Sequence, residues 1–365
     1  MKAVILCAKK KETLFPFSET KPTALTPIMG RPLVWHIIEN LENNGINEIY
    51  LVTNYREQMF KEEFEEYTNV NIVHQKDPEG TADAVKTCDF IEEDFVIVNG
   101  DIIVSSEDIK NLIDKHEAGN QQMTILATDE NKPEKFGVLS IKDDKITSVK
   151  EKPEDPNNTL VNTGIYATSP EIFRKADENP TDSLADIVAQ FADAESAKFE
   201  LIKNHWIDIG SAEKLWKANQ TKLKYLVEEK DISRQAKVSN NCFIEGNVVI
   251  RPGAEIKPGT TIEGTCYIGE NAVIGPNTVL RDSIVNNNSE VRNTTLEKSV
   301  IFERCFIDPY VFIENSIIGE ESSIKSGTVI KECFIGGRSY IEMNNSVRGT
   351  KFVPDARTDL GEITK

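Results

Sequence analysis

Histidine is scarce in this 365-residue chain: the four are His36, His74, His116 and His205, and none follows. Zinc-type spacing is absent too, because Cys7, Cys88, Cys242, Cys266, Cys305 and Cys333 form no Cys-x-x-Cys pair and no Cys/His cluster. They read as small hydrophobes of a reducing compartment rather than as a metal site or disulfide framework. Long apolar runs are missing. The opening one, Ala3–Ala8, is too short for a signal-peptide core or a membrane span, which leads us to expect a soluble, cytoplasmic protein. Positive charge is in deficit as well, with 42 Lys+Arg against 60 Asp+Glu, a net charge of −18. That balance argues against nucleic acid and anionic membranes as partners, and any phosphate must be met by a local excess of cations.

What is present falls into two regimes, and the length suffices for two cores. Up to residue 230, buried strand-like runs (Ala3–Leu6, Glu48–Thr53, Asn71–His74, Phe95–Asn99, Met123–Ala127) alternate with helical patterns (Pro32–Asn44, Ala82–Phe90). Leu33, His36, Ile37 and Leu41 make one apolar helix face. The alternation predicts an α/β layer fold with a mainly parallel mixed sheet, whose ligands sit at the carboxyl ends of its strands. The polar segment 216–231 reads as a connecting helix.

From about Lys237 the period becomes six: Ile244, Ile250, Ile256, Ile262, Ile268, Ile274 and Leu280. Small residues recur four places later at Ala254, Thr260, Cys266, Ala272 and Thr278. Neither a helix nor a hairpin sheet has that period. A β-solenoid does, since each coil turns one aliphatic side chain per face inward. Beyond Leu280 some steps shorten to five, as at Val285, Leu296, Ile301, Ile318 and Ile335. Gly253, Gly259, Gly269 and Gly275 suit tight corners. The expected domains are 1–230 and 231–365.

Several residues carry candidate chemistry. Asp101 ends the strand-like run Val98-Asn99-Gly100-Asp101, a common place for a Mg²⁺ ligand, although a turn or helix cap is the plainer alternative. Gln75 has the donor and acceptor needed for an imide base edge such as uracil or thymine. Lys9-Lys10-Lys11-Glu12-Thr13 is either a phosphate loop or a solvated basic turn.

Taken in order, these segments resemble the sugar-phosphate nucleotidylyltransferases. The likeness runs from the opening strand and Leu14-Phe15-Pro16 through Pro27-Ile28-Met29-Gly30-Arg31-Pro32 to Gln75 with Gly80-Thr81-Ala82-Asp83-Ala84. It continues with Asn99-Gly100-Asp101, Phe136-Gly137-Val138, Glu151-Lys152-Pro153, Asn162-Thr163-Gly164-Ile165-Tyr166 and the Trp206–Gly210 motif. The tail from about Lys237 resembles a left-handed hexapeptide β-helix. The resemblance implies a Rossmann-like nucleotidyltransferase domain with Leu6, Ala8, Lys9, Lys11, Gln75, Gly80 and Thr81 at the nucleotide. It implies Gly137, Glu151, Lys152 and Asn162 at the sugar phosphate, and Asp101 and Asp208 on Mg²⁺. Asp101, Asp208 and Lys152 would be the catalytic set.

The same comparison exposes a departure. The family's Gly-x-Gly-Thr-Arg loop is here Lys9 to Thr13, and its second cation, a lysine, is replaced by Thr23. Lysines where glycines wrap the triphosphate predict a strained turn. The reaction expected from the family joins a nucleoside triphosphate, pyrimidine favoured, to a sugar 1-phosphate. The alternative is a degenerate paralogue that binds the NDP-sugar, or pairs with an active homologue. Acyl transfer on the β-helix lacks its histidine base, since even the tail Asp355–Gly361 has Thr358 where the archaeal-type motif would have one. Stacking into a homo-oligomer is the expected role of the β-helix.

Overall fold

The computed structural model describes residues 1–76, 80–143, 145–178, 181–226 and 230–364. The opening run forms strand β1 (Lys2–Leu6), with Ala3, Val4 and Ile5 fully buried, as a strand covered on both faces requires. It pairs in parallel with β2 (Ile49–Thr53), which pairs in parallel with β3 (Val70–His74). On its other side lies β4 (Phe95–Asn99), again parallel. Two short strands, β5 (Ile102–Val104) and, far along the chain, Trp206–Asp208, form a separate antiparallel pair. The main sheet continues through β6 (Met123–Asp129), the hairpin β7 (Gly137–Lys142) and β8 (Lys145–Glu151), β9 (Leu160–Thr168) and β10 (Ala197–Leu201). Its order is β3-β2-β1-β4-β9-β6-β10-β8-β7, parallel in the first half and antiparallel around β9.

Helices cover both faces. Helices α1 (Leu33–Glu42), α2 (Glu57–Glu63) and α4 (Ser106–Glu117) pack on one apolar core, and α3 (Thr81–Lys86), α5 (Glu171–Glu178) and α6 (Leu184–Asp193) on the other. The expected face of α1 is buried and wider than four residues, because Val34, Trp35 and Ile38 are buried as well. Helix α3 stops short of the expected Phe90. The Thr87 hydroxyl donates back to the Ala84 carbonyl and the chain closes in i−3 turns at Cys88 and Ile91. These elements belong to one compact unit, Met1–Lys10, Pro22–Leu25 and Leu33–Asp208.

The second unit comprises Lys11–Lys21, Thr26–Pro32 and Ile209–Lys365. Among the described residues its coils lie in three parallel sheets of eight, seven and eight strands, the faces of a left-handed parallel β-helix. The inward series predicted from period six is buried from Ile250 to Ile341, and all five small positions from Ala254 to Thr278 are fully buried. Ile250 pairs with Ile268 and Ile268 with Val285, so an eighteen-residue coil gives way to one of seventeen without loss of register. Small hydroxyls extend the ladder inside. Ser283 Oγ accepts from Ser299 N, Ser299 Oγ from Ser316 N, and Ser316 Oγ from Cys333 N, so these buried polar atoms are bonded.

One face differs from the others. There the residue before each inward aliphatic is also apolar and buried: Val249, Tyr267, Ile284, Val300, Ile317 and Phe334. The unit's own outlying segments pack on it. Phe17 meets the Phe302 ring at 5.5 Å, Trp216 Nε1 donates to the Lys298 carbonyl at 2.7 Å, and Glu213 pairs with Lys351 at 2.8 Å. Helix α7 (Ala212–Leu226), the expected connecting helix, thus packs with the solenoid, and the packing division falls after Asp208 rather than at residue 230. Replacing Ile313 by Ala should cost the fold about 2–5 kcal/mol in a urea titration, against at most about 0.5 for the exposed Phe306→Ala.

Candidate functional site

Strand ends of the first unit converge at β1. Gly100 N donates to the Leu6 carbonyl at 2.9 Å, which ties the Asn99-Gly100-Asp101 turn to the end of β1. The Cys7 thiol lies within this turn. Burial first, and the nearby Asp101 charge second, push its pKa far up, so it is a neutral packing group and no nucleophile. Asp208 stands opposite Ile102 in the antiparallel pair of β5 with β11 (Trp206–Asp208), one position from Asp101. Two half-buried aspartates more than a hundred residues apart in sequence therefore flank one end of a strand pair, Asp208 within it and Asp101 just before it. Carboxylate oxygens suit a hard divalent cation, and Mg²⁺ characteristically takes one or two of them plus substrate phosphates. Among the described residues no group of three or more His, Cys, Asp or Glu side chains could hold a metal, so any further ligands must come from the substrate or from water.

The segment that presents Asp208 is clamped from behind. Asp108, fully buried in the first turn of α4, accepts from Lys203 N at 2.8 Å, Asn204 N at 3.3 Å and Ser105 Oγ at 2.5 Å. Trp206 Nε1 donates to the Thr163 carbonyl, and its ring packs edge-on against Phe136 at 5.4 Å.

That tryptophan links the sugar-phosphate candidates, which the sheet brings together. Glu151 pairs directly with Gly137 across the β7–β8 hairpin, and Lys152 N donates to the Phe136 carbonyl. Val161 pairs with Val138, placing Asn162 beside them, so that a Cβ on Gly137 would lie 3.0 Å from Glu151 Oε2 and 3.6 Å from Asn162 Cβ. Lys152 is exposed and pairs with Glu151 at 3.2 Å. Asn162 is buried, its Nδ2 donating to the Tyr166 hydroxyl and its Oδ1 accepting from Gly164 N. Gly164 is required: at φ +80° a Cβ would sit 2.2 Å from Asn99 Nδ2.

The base-side candidates form a second cluster. Gln75 is buried, and its amide nitrogen donates to Asp83 Oδ2 at 2.6 Å and to the Gly80 carbonyl at 3.2 Å. Its amide hydrogens are thus engaged within its own motif, which leaves Oε1 as the group of Gln75 able to accept from a ligand. Gly80 approaches residue 182 so closely that a Cβ would lie 1.9 Å from its carbonyl oxygen. Thr81 Oγ1 accepts from Leu184 N at 2.9 Å. Residues 77–79 of the same motif lie outside the described residues.

The loop after β1 departs from expectation. No residue from Lys9 to Thr13 has positive φ, so the anticipated strain does not arise. The chain avoids the glycine turn by leaving β1 through an extended Lys11 into a short 3₁₀ turn, Glu12–Leu14. Ala8 is buried and its carbonyl accepts from Tyr55 N, while Lys9 is exposed. Lys11 falls in the second unit and not with the other candidates. So does Lys21, a nearly buried side chain held 3.5 Å from the equally buried Glu320. Lys21 is therefore no replacement for the missing phosphate cation. Thr23 is buried, with no hydrogen-bond partner for its hydroxyl. Sequence reading overlooked Asn99, Asp83, Asp108 and Trp206 as a brace. Of these only Asp108 stood outside the motifs already singled out.

An α/β sheet with ligand candidates at its strand ends, followed by a hexapeptide β-helix, defines a nucleotide-handling transferase architecture. The family profile described as Nucleotidyl transferase matches residues 2–225, and the chain belongs to that family. Residues 248–282 match the profile Bacterial transferase hexapeptide (six repeats), and 266–359 match GMPPB C-terminal domain. Among similar proteins, Bifunctional protein GlmU of Methanocaldococcus jannaschii is 32% identical over 248 residues, 66% of this chain and 58% of that protein. Mannose-1-phosphate guanyltransferase of Yarrowia lipolytica is 30% identical, covering 58% of this chain and 61% of that protein. The chain thus spans about three fifths of the curated relatives it matches. A solved UDP-glucose pyrophosphorylase from Acinetobacter baumanii shares the fold, with TM-score 0.54 and 19% identity over 62% of this chain and 94% of that one.

Asp108→Ala should leave the Lys203 and Asn204 amides unpaired and lower stability by about 2–5 kcal/mol in denaturant titrations. Asp108→Asn keeps an acceptor and should lose markedly less.

Proposed function

We propose that the chain is a sugar-1-phosphate nucleotidylyltransferase, forming an NDP-sugar and pyrophosphate from a nucleoside triphosphate and a sugar 1-phosphate. The observation that carries this is the strand pair that ends at Asp208 and starts one residue after Asp101, in the unit that also gathers Gly137, Glu151, Lys152 and Asn162. A phosphate oxygen of the sugar 1-phosphate attacks the α-phosphorus, the bond from that phosphorus to the bridging oxygen breaks, and pyrophosphate leaves with the electron pair. Lys152 neutralises and orients the sugar phosphate, Glu151 and Asn162 receive sugar hydroxyls, and Gln75 with the Gly80-Thr81 turn receives the base. Bound Mg²⁺ on Asp101 and Asp208 would neutralise the charge that grows at the α-phosphate. With its amide hydrogens engaged by Asp83 and Gly80, Gln75 would read a pyrimidine only by accepting its imide N–H through Oε1, and the six free thiols fit a reducing cytoplasm. We further place the functional domains at 1–230 and 231–365, with self-association through the β-helix.

A second reading has its own observation. The loop from Lys9 to Thr13 lacks glycine and arginine, Thr23 is buried, and Lys21 is paired with Glu320, all changes on the side that would hold the leaving group. On that reading the chain binds the NDP-sugar without making it, as a regulatory partner of an active homologue. Acyl transfer is disfavoured because no histidine follows His205.

Pyrophosphate release from a panel of nucleoside triphosphates and sugar 1-phosphates, measured beside NDP-sugar binding, separates the two. Turnover that falls about a hundredfold or more in Asp101→Ala supports the transferase. NDP-sugar binding with no release of pyrophosphate selects the regulatory reading.

A further inference from the structure

We propose that Lys10 and Arg56, carried on the Tyr55 ring, form the polyphosphate-binding site of this chain, taking the β- and γ-phosphates of the nucleoside triphosphate in place of the altered signature loop. The choice of ligand rests on the transferase reading; the site itself rests on geometry. Lys10 Nζ lies 5.8 Å from the centre of the Tyr55 ring, and the Arg56 guanidinium 5.5 Å from it. Arg56 Nε also donates to the Tyr55 hydroxyl at 2.9 Å. The plate is anchored to the phosphate end of the sheet, because Tyr55 N donates to the carbonyl of Ala8, just beyond β1. Two cations from different loops are thereby held at the carboxyl ends of neighbouring parallel strands, β1 and β2, where this class of sheet binds its ligands.

Arg56 has φ +52°, in the left-handed region that non-glycine residues adopt at a cost. The nearest carboxylate along the chain, Glu57, is engaged by Lys61 and His74, which offsets its charge beside the pair. A guanidinium fork matches phosphate oxygens two at a time, and the ammonium adds a point charge. The family's own cation positions are not available, since Thr13 and Thr23 carry no charge and Lys21 is buried against Glu320.

The test is calorimetric titration of the full chain with inorganic tripolyphosphate and, separately, with UMP. Each lost charged contact is worth about tenfold in affinity, so Lys10→Ala with Arg56→Ala should weaken tripolyphosphate about a hundredfold and leave UMP within about twofold. Lys110→Ala, which removes one such charge from an exposed helix position, should change neither. Wild-type chain that does not bind tripolyphosphate, a double variant that binds it unchanged, or an equal loss in Lys110→Ala would each overturn the proposal. Tripolyphosphate binding that depends on the pair, in a chain that releases no pyrophosphate, supports the site while ending the transferase reading. Turnover with an unaltered nucleotide KM in the double variant does the reverse.

Discussion

Three residue pairs hold the candidate site together. Among the described residues, the antiparallel contact of Ile102–Val104 with Trp206–Asp208 is the one ladder that joins these two stretches, whose motifs lie about a hundred positions apart. Without it Asp101 and Asp208 would be two unrelated carboxylates. Its neighbours explain how so short a pairing is maintained. Asp108 pins the incoming strand by two backbone amides, and Trp206 is wedged between Thr163 and Phe136. Buried hydrogen bonds to a charged acceptor are among the stronger fixed contacts available to a folded chain. The strand that carries Asp208 is thus held in place by groups other than the metal candidates themselves.

A second constraint acts on the loop after β1. The segment from Lys11 to Lys21 packs in the unit of the β-helix, through Phe17 on Phe302 and Lys21 on Glu320. Removing one partner of a pair buried to this degree would strand a charge in low dielectric, so the loop is committed to that packing. Glycines that would let it wrap a triphosphate are not needed for such a role. The substitutions of Lys9 to Thr13 and Thr23 accordingly read as a coherent change rather than scattered loss. The cations at the end of β1 that belong to the first unit then come partly from a different loop, at Arg56.

Much of the architecture was legible in the chain itself. Burial on both faces forces apolar runs, so β1 to β4 could be read, and an inward aliphatic every five or six residues can only be a solenoid, so its coils could be counted. The doubled apolar positions of one solenoid face, from Val249 to Phe334, also signal a covered face to anyone looking for them. The hairpin of β7 with β8 and strand β9 were harder, because their motifs are short and polar at the surface. Helix α3 was overextended for a local reason, a hydroxyl bonding back to its own helix.

The sequence by itself determined which chemical groups exist and in what order: oxygen ligands at Asp101 and Asp208, an amide at Gln75, Glu151 and Lys152 on a turn, and no arginine at position 13. Those are covalent facts, and period and motif order are sufficient to read them. Tertiary structure alone decided which groups meet. It engaged the Gln75 amide with Asp83, placed Asn99 against Gly164, turned Lys21 towards Glu320 and stacked Lys10 and Arg56 on one ring. Such meetings depend on strand register and loop closure between distant segments, where a one-residue slip sends a side chain to the opposite face.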